Sequence, residues 1–274
     1  MMLGNYEAFE VETAAHVATV WMNNPSRRNA MGPAFWQELP AVMGTLDGTA
    51  DVRAVVLAAR GPHFTVGLDL KAMAHVLLGT AGGSGVAGRL RLLEQIKEFQ
   101  RAIDRVAHCR KPVIAAINGY CLGGGIDLIT ACDIRVAAAD AVFSVRETRI
   151  AIVADVGTLQ RLPAIIGKGH VAEMVYSGAD VSAQRAKEIH LVNDVYADHA
   201  ATVLAAQALA ARIAENSPLA VSGAKQVMAF CERRSVEDGL EYVALWNAAF
   251  IESADLTEAM QAFTEKRKAM FTGK

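Results

Sequence analysis

The stretch Gly123-Gly124-Gly125-Ile126-Asp127 sets a glycine turn, a helix start and a carboxyl group side by side. It follows an apolar run over residues 113–117 and a turn at Asn118-Gly119, so it reads as strand, glycine loop and helix, the helix reaching about residue 131. Glycines let the backbone bend sharply and let a ligand approach it closely. The first N–H groups of a helix have no internal acceptor and suit developing negative charge. Asp127 adds a carboxyl group beside those donors, although a tight turn with Asp127 capping a helix would use the same residues.

Two other stretches carry comparable chemistry. Residues 61–70 form a second glycine turn entered just after a strand candidate at 53–59, with Asp69 placed to cap a helix after it. His63 in that turn has no carboxylate at a fixed spacing and reads as a turn or surface histidine. Further on, Glu147 and Asp155 bracket the apolar run Ile150-Ala151-Ile152-Val153-Ala154. A carboxyl group there is costly to bury unless paired or protonated. Asp155 therefore either caps a helix at Gly157-Thr158 or sits in a dry pocket with a raised pKa, as acid–base chemistry needs.

The elements that must hold these groups alternate. Residues 9–13 and 16–22 pattern as paired strands, and Pro33 opens a helix to about Leu46. Leu92, Ile96, Phe99, Ile103 and Val106 mark one buried face of a helix beginning near Arg89. Between these, residues 72–88 form a Gly/Ala-rich loop suited to binding. Short strands are expected at 132–137, 141–145 and 192–196. Helices are expected at 183–188, capped by Ser182, and at 200–215, 218–233, 235–251 and 255–270. In the last helix Leu256, Met260 and Phe263 form the apolar stripe, and Lys266, Arg267 and Lys268 a basic patch open to solvent or to a phosphate. Strands alternating with helices indicate an α/β fold with parallel pairing.

Composition narrows the classes. The 274 residues are 53% hydrophobic, ample for a large core. A formal net charge of −2 offers no broad basic field for nucleic acid. The four cysteines, Cys109, Cys121, Cys132 and Cys231, form no C-x-x-C or Cys/His cluster, so a reducing compartment and no metal are expected. Neither a signal peptide nor a membrane-length apolar run is evident, which points to a cytoplasmic protein.

Together these stretches resemble the enoyl-CoA hydratase/isomerase (crotonase) superfamily. Asn24-Pro25 with Asn29-Ala30-Met31, residues 64–70, residues 118–125 and Phe263-Thr264-Glu265-Lys266-Arg267 are each similar to one of its signatures. Residues 123–135 and 154–163 most resemble its Δ3,5-Δ2,4-dienoyl-CoA isomerase branch, whose three acidic positions match Asp127, Glu147 and Asp155. Hydratases of the superfamily have two glutamates and then glycine at those positions.

The resemblance implies a spiral of ββα units over residues 1–200 and a helical trimerisation and active-site-covering region over 201–274. It implies an oxyanion hole from the N–H groups of Leu68 and Gly124, and catalysis by Asp127, Glu147 and Asp155, with Asp155 the base, Glu147 the proton donor and Asp127 orienting them. Contacts to substrate or CoA are implied at Arg28, Val66, Gly67, Asp69, Leu70, Gly123, Phe263 and Lys266. The expected substrate is an acyl-CoA thioester, with no separate cofactor, in a homotrimer or homohexamer that binds neither nucleic acid nor membrane. The competing readings are an ordinary hydratase and a non-catalytic CoA-ester or RNA-binding member of the fold.

Overall fold

The computed structural model describes residues 6–77, 85–232 and 234–274. The middle of the Gly/Ala-rich loop and the expected helix end at Arg233 lie outside the described residues. The chain opens with β1 (Phe9–Ala14), β2 (Val17–Met22), α1 (Pro33–Gly48), β3 (Ala54–Ala59), α2 (Ala74–Leu77) and α3 (Val86–Ala107). It continues through β4 (Val113–Ile117), β5 (Tyr120–Leu122), α4 (Gly124–Thr130), β6 (Ile134–Ala138) and β7 (Val142–Ser144). Then come α5 (Thr158–Ile166), α6 (Lys168–Ser177), β8 (Val181–Ser182), α7 (Ala183–Glu188) and β9 (Asp194–Tyr196). Four helices close the chain: α8 (His199–Ala214), α9 (Pro218–Cys231), α10 (Val236–Phe250) and α11 (Ala254–Glu265).

The large sheet has the order β1-β2-β3-β4-β6-β9, parallel except for the edge strand β1. Its inner strands are apolar apart from Thr19 in β2 and Arg135 in β6, because both faces are covered. Alternate residues such as Val55, Leu57 and Ile117 face the core shared with α1 and α3. Their neighbours Val56, Ala58 and Ile114 face Val203, Ala206 and Ala210 of α8. The helix expected to begin the C-terminal region thus forms one layer of the sheet's packing.

A second, shorter ladder runs beside this sheet. It consists of the parallel bridges Met31–Leu68 and Thr65–Cys121, the parallel pair β5–β7, and β8 antiparallel to β7. Each sheet strand from β2 to β6 is thus followed by an extended piece in the second ladder and then by one or more helices. That repeated step is the ββα spiral.

Several expectations change. The buried face of α3 begins at Phe99, whereas Leu92 is 37% exposed and Ile96 only half-buried. Helices α5 and α6 are not evident from residue spacing, since Gly157, Pro163 and Gly167 break up their pattern. The last helix ends at Glu265, because Lys266 turns left-handed (φ 55°). Its stripe of Leu256, Met260 and Phe263 faces outward, with Phe263 83% exposed.

Candidate active site

After β3 the chain returns through residues 61–70 and is fastened to the turn after β4. Phe64 N–H donates to Asn118 O (2.8 Å), Thr65 N–H to Tyr120 O (2.8 Å) and Leu122 N–H to Thr65 O (3.1 Å). The Thr65 hydroxyl donates to Asn29 O (2.6 Å) and accepts from Gly67 N–H (3.1 Å). Met31 closes the other side: its N–H donates to Gly67 O and its carbonyl accepts from Asp69 N–H. Asn29, one residue of the N-terminal signature, is a fastener: its amide donates to Arg60 O and His63 O.

The two glycine loops meet at Gly67. Its φ of +82° suits glycine, and a Cβ there would lie 2.7 Å from Leu122 O and 3.3 Å from Gly124 N. Gly123 (φ +54°) is the N-cap of α4, and its N–H is bonded to Ser144 O. Among the described residues, no protein acceptor is hydrogen-bonded to the N–H of Leu68 or of Gly124. The free donors of a helix start and of a facing loop are thereby brought to one junction, as an oxyanion requires.

Asp127 sits in the first turn of α4 and is 1% exposed. Its Oδ1 accepts the N–H of Thr158 at 2.6 Å, the first residue of α5. The helix capped here is therefore α5, and Asp127 supplies the acceptor; Asp155, the other candidate for that task, does not. Burial pushes Asp127 up to about 7, helped by the charges of Glu147 and Asp155 and opposed by hydrogen bonding from Thr158.

Glu147 opens a 3-10 turn, Glu147–Ile150. Its Oε2 is buried without a partner, and its Oε1 lies 3.3 Å from where a Gly123 Cβ would stand. Burial raises its pKa, and the charge of Asp155 raises it further. Asp155 lies in the irregular stretch before α5, and burial raises it as well. The structure thus gathers all three carboxyl groups within electrostatic reach of one another, with Glu147 Oε1 beside Gly123.

Comparisons with known proteins give the chain's family. The family described as Enoyl-CoA hydratase/isomerase matches residues 12–274. The chain belongs to the enoyl-CoA hydratase/isomerase family. It is 41% identical to the peroxisomal Δ3,5-Δ2,4-dienoyl-CoA isomerase of Arabidopsis thaliana, covering 99% of each chain. It is 38% identical to the mitochondrial enzyme of the same name from Dictyostelium discoideum, covering 97% of this chain and 91% of that one. Among solved structures it resembles the enoyl-CoA hydratase of Bacillus anthracis, with a TM-score of 0.89, 33% identity, and coverage of 98% and 100%.

The other positions suggested by the enoyl-CoA hydratase/isomerase resemblance divide. Val66, Gly67 and Gly123 lie in the junction itself, and Arg28 is exposed beside it, its carbonyl accepting from Val66 N–H at 3.3 Å. Leu70 is about half exposed. The Asp69 carboxylate is engaged inside the protein, accepting from Ala72 N–H and Lys71 N–H and pairing with Arg27 (3.1 Å). Those bonds, led by Ala72 N–H, hold it below the usual carboxylate range.

Phe263 and Lys266 are not brought to the carboxyl groups. Among the described residues, no hydrogen bond or ion pair joins α11 to either loop; α11 is tied to the start of α9 by Ser217–Asp255 (2.6 Å). Of the expected basic patch, Arg267 pairs with Glu258 and Glu265, and Lys268 with Glu215 (2.7 Å).

His63 is a turn histidine. Its Nδ1 accepts from Tyr120 N–H (3.2 Å), and its ring stacks on Tyr120. Burial, then the Arg28 charge, lowers its pKa and keeps it neutral. A residue that the sequence did not single out is Gln100 of α3, whose amide Nε2 donates to Asp155 O at 2.7 Å.

Proposed function

We infer that this protein isomerises 3,5-dienoyl-CoA esters to the 2,4-dienoyl isomers, a step of fatty acid β-oxidation, with CoA as the substrate's handle and no separate cofactor. The observation that carries the reading is the third acidic group: the Asp155 carboxyl group lies within electrostatic reach of Glu147 and Asp127, at a position where hydratases of the superfamily have glycine. Near-full-length relatives at about 40% identity carry the dienoyl-CoA isomerase name.

In the proposed reaction the Asp155 carboxylate takes a proton from C2. The resulting trienolate places charge on the thioester oxygen, where the N–H groups of Leu68 and Gly124 receive it; one such donor is typically worth about 10²–10³ in rate. Charge also reaches C6, and Glu147 returns a proton there. The C3 and C5 double bonds become C2 and C4 double bonds, and the atoms balance. The different environments support this division. Glu147 is raised by burial and by the Asp155 charge, which favours its protonated form, whereas burial alone raises Asp155. Asp127 positions: its Oδ1 accepts the Thr158 N–H and so ties the start of α5 to α4.

The test is an ultraviolet assay on a 3,5-dienoyl-CoA beside a hydration assay on a 2-enoyl-CoA. Wild type should isomerise quickly and hydrate little, and Asp155→Asn should lose most turnover while keeping CoA-ester affinity. Near-normal turnover of Asp155→Asn would sink its role as base, and hydration alone would make the chain a hydratase.

The outward stripe of α11 supports assembly as a homotrimer or homohexamer, with the helices after α8 forming the interface and Lys266 reaching a CoA phosphate of a neighbouring subunit. Sedimentation should give that oligomer. Lys266→Ala should weaken CoA-ester binding by up to about fivefold, the scale of an exposed ion pair; unchanged affinity would remove Lys266 from the site. Among the described residues, no helix is long and apolar enough to cross a membrane. Four free cysteines suit a reducing compartment, and we place the protein in the cytoplasm, although the relatives above are named mitochondrial and peroxisomal. Cell fractionation decides between these.

A further inference from the structure

We propose that Gln100 is a positioning residue for Asp155, holding its main chain so that the carboxylate addresses the substrate. The inference rests on the assignment of Asp155 as base.

The stretch before α5 has few holds of its own. Ile152 N–H is bonded to Glu147 O (3.0 Å), and Gly157 O accepts from Gln160 and Arg161 inside α5. Between those points, among the described residues, the one main-chain group in a hydrogen bond to another residue is Asp155 O, and its donor is Gln100. Among the described residues, no hydrogen bond from another residue fixes the Asp155 carboxyl group. Its direction therefore follows from its backbone, and that backbone is tied at Asp155 itself.

Gln100 is well suited to transmit position. Its neighbour Phe99 is buried and packs on Trp36 with ring centroids 4.4 Å apart, and Ile103 is fully buried, so this part of α3 is anchored in the core. One turn further on, Asp104 pairs with Arg161 of α5. Residues four apart share a helix face. One flank of α3 therefore holds both the Asp155 carbonyl and the helix that follows it. A side-chain amide donating to a main-chain carbonyl has no acid–base part of its own here, which makes Gln100 a positioning group.

The test compares Gln100→Met with wild type in the dienoyl-CoA assay, together with Asp155→Asn and the double variant. Misplacing a reacting group by about 1 Å can cost about 10²-fold. We expect kcat to fall about ten- to a hundredfold, with KM and melting temperature close to wild type. In the Asp155→Asn background the same substitution should cost little, because its effect passes through the lost carboxylate. Gln100→Glu, similar in shape but without the donor, carries the test if Gln100→Met does not fold. Unchanged kcat, or an equal loss with and without the Asp155 carboxylate, would overturn the proposal. If Asp155→Asn is crippled while Gln100→Met is normal, only this inference fails. If Asp155→Asn itself is near normal, the assignment of the base fails instead.

Discussion

The two halves of the site are built by opposite means. The half that carries the Leu68 and Gly124 N–H groups is laced by main-chain bonds across Met31, Thr65, Gly67, Tyr120 and Leu122. The half that carries Glu147 and Asp155 is irregular between its 3-10 turn and α5, and among the described residues Gln100 alone hydrogen-bonds to its middle. The difference reflects the kind of atom each half supplies. Donors for an oxyanion are main-chain atoms, so their aim is only as good as the backbone's, and preorganised backbone is what stabilises charge without reorganisation. Proton-moving groups are side chains whose usefulness depends on pKa. Burial sets that quantity, and a half-buried, sparsely bonded position provides it.

The largest effect should come from breaking the laced half at its tightest point. In Gly67→Ala the new Cβ meets the Leu122 carbonyl at 2.7 Å, and that oxygen is main chain and cannot swing aside. The positive φ adds strain on the order of 1–3 kcal/mol. Relief requires the loops to part, which turns the Leu68 N–H away from Gly124. We expect kcat to fall about 10²–10³-fold, the usual value of one lost oxyanion donor. Circular dichroism would establish that the variant is folded. A folded variant within tenfold of wild type would mean that the close approach of the loops is incidental, and the contrast between the halves would fail.

The laced half was also the more legible in the sequence. Both glycine turns, the strands before them and the helix start at Gly124 follow from local residue types and spacing. That Gly67 abuts Gly124 does not, because the second ladder joining Thr65 to Cys121 is a tertiary fact; only the family resemblance paired the loops. Asp155 was legible as a carboxyl group in an apolar run, with a helix cap as the open alternative. The competition was settled by a residue 31 positions away from the capped N–H, whose Oδ1 caps α5 in its place. Gln100 carried no signal, since a polar residue on a helix flank looks like any solvated one until its partner 55 residues on is known. The stripe of α11 followed helical spacing correctly, and nothing in the spacing says whether the protomer's own core covers it; here it faces outward.

Asp127 joins the two halves, and it gives a smaller but sharper test of the contrast. Its side chain rises from α4 in the laced half and caps α5 in the sparse one. Burial holds its folded pKa near 7, far above the ordinary carboxyl value of 3.8. At pH well below 4 it is protonated in folded and unfolded chains alike and contributes no slope. Between about 4 and 7 the folded chain keeps a proton that the unfolded chain has released, so its contribution lowers stability as pH rises. Above about 7 it is ionised in both, and the cost levels off at no more than about 4 kcal/mol, from 1.36 kcal/mol per pKa unit. Asp127→Asn keeps an oxygen for the Thr158 N–H and cannot ionise. Urea unfolding from pH 4 to 8 should therefore show the variant gaining on wild type up to about pH 7, then running parallel to it. A difference that stays constant with pH would mean that water reaches Asp127, and that burial does not set its pKa.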